Sequence, residues 1–213
     1  MGRRALPKIN PAIDASRHLY QLDDLQPPFQ PEQFFRQVDA PLCIEIGSGK
    51  GLFLNTSARE YPTHNFVGVE LAKRYAHFAG SRLAKNGFEN AIMISGDGLK
   101  FMADYVADAS CYAVHVYFPD PWWKERHRKR RVMKESLIQD IQRVLVDGGE
   151  LHFWTDVKEY FDTTVELIDK VSSLEGPFEV NPESPEHDLD YRTHFERRMR
   201  MNDKPVYRSR YRK

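Results

Sequence analysis

From residue 41 onward the chain alternates short apolar runs with longer amphipathic segments. That alternation confines it to an α/β architecture, helices packed on a largely parallel sheet. Leu42–Ile46 is expected as a strand, followed by a glycine-rich turn and a helix over 50–60 that stops near Pro62. Strands over 65–71, 91–95, 112–118 and 150–155 then alternate with helices over 72–86, around 99–106, over 132–146 and over 157–171. Gly87 is placed to cap the helix before it, and Asp147-Gly148-Gly149 to close the helix over 132–146. Residues 174–190, acidic and with three prolines, read as loop, and 205–211 as a last, edge strand.

Residues 1–40 carry prolines 7, 11, 27, 28 and 31 with little sustained periodicity. They are expected as an N-terminal arm, partly extended or mobile, with a short helix near 31–38, ahead of one domain over 41–213. Cys43 and Cys111 lie in apolar runs and read as buried reduced thiols; neither they nor the eight histidines show metal-ligand spacing. No apolar stretch approaches the roughly 18 residues of a membrane span, and Met1-Gly2-Arg3-Arg4 leads into no secretory apolar core. A myristoylation signal would want Ser or Thr at position 6, where the chain has Leu6. A cytoplasmic protein without metal or membrane attachment is expected.

The net charge of zero hides an uneven distribution. Residues 124–134 hold seven basic residues and one acid, and 191–213 hold nine basic residues and two acids, with a strongly acidic stretch between them. Two concentrated basic segments in a neutral chain point to an anionic partner docking at one face.

In an open α/β sheet, ligands sit beyond the carboxyl ends of the strands. The first such end reads Glu45-Ile46-Gly47-Ser48-Gly49-Lys50-Gly51. A dinucleotide fingerprint would need glycine at 52, where the chain has Leu52, and a P-loop fails at Ile44 and Gly51. The remaining pattern, E-x-G-x-G-x-G, resembles the cofactor turn of class I methyltransferases, in which glycines let the backbone pass close to the methionine part of the ligand. Glu45 supplies a carboxylate for the cationic end. Glu70 ends the next strand, where a carboxylate can accept both ribose hydroxyls. Asp97, after the third, is placed near the adenine edge.

The fourth strand runs into Phe118-Pro119-Asp120-Pro121-Trp122-Trp123-Lys124. Pro119 and Pro121 stiffen the backbone around Asp120. Trp122 and Trp123 offer faces for stacking a base and are equally compatible with core packing. Arg126, Arg128, Lys129, Arg130 and Arg131 follow at once and suit phosphates.

With these residues in view, the chain over about 40–211 resembles the tRNA (guanine-N7-)-methyltransferase family. The motifs are E-I-G-S-G-K-G (45–51), G-V-E (68–70), F-P-D-P-W-W-K (118–124) with R-H-R-K-R-R following, W-T-D (154–156) and T-H-F-E-R-R (193–198). The chain departs from the family pattern at Asn202-Asp203, where a glycine is expected before the final strand. The resemblance implies a Rossmann-like three-layer α/β sandwich, its sheet mostly parallel with an antiparallel edge strand. It implies methyl transfer from S-adenosyl-L-methionine to guanine N7 in tRNA, at position 46 of the variable loop. It implies cofactor contacts from Glu45, Gly47, Gly49, Gly51, Glu70, Asp97 and Asp120, with Asp120 also the active-site acid. Lys124, Asp156, Thr193, Phe195 and Glu196 would bind the target nucleotide. The basic run, with Arg208 and Arg210 from the C-terminal segment, would clamp the tRNA backbone. The chain would act as a monomer or homodimer. The alternatives are a methyltransferase for another RNA base or a small molecule, and a non-catalytic RNA-binding protein that retains the cofactor fold.

Overall fold

The computed structural model describes residues 6–122, 124–180, 193, 196, 197, 199, 201, 202 and 204–213. Its strands are β1 (Leu19–Gln21), β2 (Leu42–Ile46), β3 (Asn65–Glu70), β4 (Ala91–Ser95), β5 (Cys111–Tyr117), β6 (Leu145–Thr155), β7 (Glu175–Phe178) and β8 (Tyr207–Arg212). The α-helices are α1 (Leu52–Glu60), α2 (Lys73–Asn86), α3 (Gly98–Asp104), α4 (Glu135–Val144) and α5 (Lys158–Val171). All eight strands form one sheet in the order β1-β4-β3-β2-β5-β6-β8-β7, and β8 runs antiparallel to both of its neighbours.

Alternate residues of the central strands feed two cores, because successive side chains point to opposite faces. Ile44, Val67, Ile92, Val114 and Leu151 pack with Phe101 of α3, Ile138 of α4 and Ile168 of α5. Cys43, Phe66, Met93, Ala113 and Trp154 pack with Leu54 of α1 and Ala79 and Leu83 of α2. The result is a three-layer sandwich whose strand tips β2 to β6 all open on one side, where a ligand can be met by several loops at once. Cys43 and Cys111, one in each core, are free and buried, and burial pushes both thiols up to about 12.

Several elements differ from expectation for identifiable reasons. The expected arm contributes β1, parallel to β4, and inserts Leu22, Phe29 and Phe35 into the first core. Its expected helix is a 3₁₀ turn over Pro31–Gln33. Asp147-Gly148-Gly149 lies inside β6 rather than closing α4: the chain leaves α4 at Leu145 in an extended conformation and pairs at once with Cys111. The ladder then shifts register before Ala113 meets Glu150. Part of the expected loop over 174–190 is β7, whose four residues are all exposed and carry no apolar alternation. It lies outside β8, and Arg210 and Arg212 stack their guanidinium groups over Phe178 at 5.6 and 5.9 Å. Residues 181–190 lie outside the described residues. No helix among those described is long and apolar enough to cross a membrane.

Candidate active site

The turn after β2 is built by three glycines in left-handed backbone, with φ +79° at Gly47, +54° at Gly49 and +66° at Gly51, values costly for any side chain. At Gly51 a Cβ would also come within 2.7 Å of the Ala79 Cβ, so α2 can pack this close only against glycine. The turn is tied to β3 by the Gly47 and Ser48 amides, which donate to the Val69 carbonyl at 2.8 and 3.1 Å. Glu70 adds a second tie. Its Oε2 accepts the Gly49 amide and its Oε1 the Ala72 amide, each at 2.8 Å.

Glu45 is 3% exposed, and its Oε2 has no hydrogen-bond partner. Burial is the main cause that pushes its carboxyl up to about 8; the Ser48 hydroxyl opposes this and the Glu70 charge adds to it. A carboxylate sealed away without a partner is costly unless a cation or donor meets it. Beside it lies a cleft of about 230 Å³, lined by Glu45, Gly47, Ser48, Gly49, Lys50, Leu52, Phe53, Tyr75, Tyr117, Phe118 and Thr193.

Of the residues expected to touch the cofactor, Glu45, Gly47 and Gly49 therefore line the cleft. Gly51 and Glu70 shape its turn from behind. Asp97 caps α3, accepting the Leu99 amide at 2.9 Å. Asp120 is exposed beyond β5, in a segment that begins with Phe118 at φ +49° and ends with Trp122 at φ +45°. Two aromatic residues in the left-handed region bracket the two prolines, an arrangement only surrounding structure can hold. Trp122 is half-buried, with the Arg130 guanidinium 5.1 Å above its ring. Trp123 and Phe195 lie outside the described residues.

Among the expected nucleotide-binding residues, Thr193 reaches the cleft, and its hydroxyl oxygen accepts the Glu196 amide at 3.0 Å. Asp156 is half-buried just beyond β6 and Lys124 is exposed. Glu196 is turned inward and paired with Arg208, Oε1 to Nη2 2.9 Å, and that guanidinium also lies 4.9 Å over the Trp154 ring. Arg208, expected on the tRNA backbone, is instead a nearly buried counter-ion. Arg131 is likewise drawn inward. It donates to the Pro121 carbonyl at 2.9 Å, stacks 4.6 Å from the Tyr160 ring and meets Glu159 at 3.5 Å. Arg126, Lys129 and Arg130, on the 3₁₀ segment Glu125–Arg130, keep exposed side chains, and Arg128 lies on the same segment. Arg210 is partly exposed beside Glu150 at 3.4 Å. Tyr75, Tyr117 and Phe118 were not anticipated as cleft residues. The last two stand at the strand end that carried the motif, whereas Tyr75, in the first turn of α2, carried no sequence signal.

A glycine turn, acids on successive strand tips and a parallel sheet in which β8 runs antiparallel define a class I methyltransferase. The model of the methyltransferase family Methyltransf_4 matches residues 39–209. A tRNA (guanine-N(7)-)-methyltransferase of Rhodopirellula baltica is 48% identical over all of this chain and 80% of its own length. One of Pediococcus pentosaceus is 29% identical over 80% of each chain. The chain belongs to the tRNA (guanine-N(7)-)-methyltransferase family. In fold it is similar to the aminoglycoside resistance methyltransferase NpmB1, with TM-score 0.60 and 16% identity over 91% of this chain and 97% of that one. It is also similar to a precorrin-6y C5,15-methyltransferase of Geobacter metallireducens, with TM-score 0.57 and 17% identity over 82% of each.

Proposed function

We propose that this protein transfers the methyl group of S-adenosylmethionine to N7 of a guanine in tRNA, forming 7-methylguanosine, at position 46 of the variable loop. The observation that carries this reading is the buried, unpartnered Glu45 oxygen beside a cleft floored by left-handed glycines. That pairing suits a ligand with a cationic amino-acid end and little room for protein side chains. When bound, S-adenosylmethionine supplies an electrophilic methyl carbon on a good leaving group.

Guanine N7 has an in-plane lone pair and no proton, so the protein needs no base to activate it. Its work is alignment and electrostatics. Glu45 meets the cationic end of the cofactor, and the glycine turn, braced by Glu70, lets it approach. Asp120, held by Pro119 and Pro121 at the tip of β5, accepts from the N1–H and N2 amino edge of guanine. That contact favours the positive charge the ring gains and rejects adenine, which lacks this donor pair. Thr193, which lines the cleft, and Asp156, just beyond β6, would bind the target nucleotide. Arg126, Arg128, Lys129, Arg130 and Lys124 take the tRNA backbone, and Arg210 extends that surface. The reading implies a cytoplasmic monomer or homodimer that uses no metal ion.

The test is to incubate the purified chain with S-adenosylmethionine and unmodified tRNA and to identify the methylated nucleoside by mass spectrometry. 7-Methylguanosine is expected. Asp120→Ala, an exposed substitution, is expected to leave the fold intact and to cut turnover at least about 100-fold, the scale of a lost transition-state contact. A different methylated nucleoside, or turnover within a few-fold of the parent, overturns the respective assignment.

A further inference from the structure

A row of ionisable side chains crosses the sheet behind the cleft. Glu45 pairs in register with His115 on the neighbouring strand, His115 with His152, and His152 with Arg210. His115 is 5% exposed, and its Nδ1 lies 2.9 Å from the hydroxyl of Tyr117, two residues along the same face. Its ring stacks on His152, with centroids 4.8 Å apart and planes 21° from parallel. His152 Nε2 in turn meets Glu150 Oε2 at 3.2 Å, and Arg210 and Arg212 reach the other Glu150 oxygen at 3.4 and 3.7 Å. Tyr117 is the one member of this file besides Glu45 that lines the cleft.

Charge in the file is distributed unevenly. The His152 imidazole is the largest cause holding Glu150 below the usual carboxylate range, so Glu150 anchors the His152 end of the file. A neutral His115 can use Nδ1 as an acceptor, and the phenol then donates to it. Donation makes the phenolic oxygen more negative, since hydrogen bonds in a chain polarise one another.

We propose that the Tyr117 oxygen is a direct acceptor for the cofactor's sulfonium and its polarised methyl hydrogens, and that His115 is the positioning residue that orients and polarises it. The inference rests on S-adenosylmethionine occupying this cleft. It gives the stacked histidine pair a role in recognising charge at sulfur rather than the amino-acid end, which Glu45 meets. Phe53 of α1 fixes the arrangement, with its ring 5.2 Å from Tyr117 and 4.5 Å from His115.

The test compares S-adenosylmethionine with S-adenosylhomocysteine, which shares every group except the methyl and the positive charge on sulfur. Affinities are measured by calorimetry on the parent chain, Tyr117→Phe, His115→Leu, His115→Asn and the Tyr117→Phe/His115→Leu double variant. Tyr117→Phe keeps the ring and is expected to weaken S-adenosylmethionine about two- to fivefold while leaving S-adenosylhomocysteine unchanged, the scale of a C–H···O contact. His115→Leu should produce the same selective loss, with no further loss in the double variant, and His115→Asn, which keeps an acceptor near the Nδ1 position, should recover most of it. An unchanged ratio in Tyr117→Phe, an equal loss for both ligands, or additive losses in the double variant overturns the inference. If the parent chain binds neither ligand, the reading of the cleft itself fails instead.

Discussion

Glu70 Oε2 accepts the Gly49 amide at 2.8 Å, so a carboxylate at the end of one strand braces the glycine turn that follows its neighbour. Glu70→Gln would present an amide N–H to one of the two backbone N–H groups that Glu70 now accepts. Losing a charge-assisted hydrogen bond here costs about 1.5–3 kcal/mol. S-Adenosylmethionine affinity is therefore expected to fall roughly 10- to 100-fold by calorimetry. Affinity within threefold of the parent would show that the turn holds its shape without this brace.

Glu45 sets a pH dependence with a definite sign. Its carboxyl is pushed up to about 8 from an ordinary 4.5, so between those values the folded chain holds a proton that the unfolded chain has released. The stability of the ligand-free protein should decline as pH rises through that window, because the native state binds more protons there. Cofactor binding has the opposite slope. The cation needs the ionised carboxylate, so affinity should rise by up to about tenfold per pH unit below 8 and flatten above it. Calorimetry in buffers of different ionisation enthalpy should detect proton release near pH 7, and Glu45→Gln should abolish both the release and the slope. A flat affinity profile in the parent would contradict the assignment.

The Glu196–Arg208 pair, with side chains 6% and 9% exposed, should behave as a buried ion pair. Arg208→Met takes the guanidinium away from the Glu196 carboxylate and is expected to cost roughly 3–5 kcal/mol, a Tm fall of about 6–20 °C for a chain of this size. Adding Glu196→Leu should restore at least half of that fall. Equal melting temperatures for parent and Arg208→Met would instead mean that the pair is solvated.

The basic run divides into two groups with different phenotypes. Arg126, Lys129 and Arg130 are exposed, so reversing all three to Glu should weaken tRNA binding more than about tenfold and flatten its salt dependence, with little change in Tm. Arg131, pinned between the Pro121 carbonyl and α5, should do the reverse, so that Arg131→Glu lowers Tm and disturbs the Asp120 segment. Filter binding over a salt series, alongside thermal melts, separates the two. An unchanged salt slope in the triple variant would contradict the phosphate role.

The central sheet was readable because its strands are buried on both faces and bounded by glycine and proline. Leu42–Ile46 and Ala91–Ser95 fall at the expected residues. The outer strands were not readable. β1 is three residues long, and β7 is held by arginines stacked on Phe178 rather than by burial, so neither leaves a hydrophobic period. In the cleft, Glu45 and the glycines could be placed because backbone geometry there demands particular residues. The inward turn of Arg208 and Arg131 could not. Charge in a sequence marks a candidate contact, but whether an arginine faces phosphate or a carboxylate of its own fold depends on what other segments of the chain bring opposite it, here Glu196 and Glu159.

The two cysteines give the molecule a built-in stopwatch. With both sulfurs sealed in the sheet and hardly any thiolate at neutral pH, a maleimide can reach them only when the strands part. The labelling rate of the unaltered chain therefore counts rare openings of its centre. A cysteine added anywhere on the outside would take up a maleimide dye long before either native one, leaving the surface free for site-specific tagging without first removing a residue.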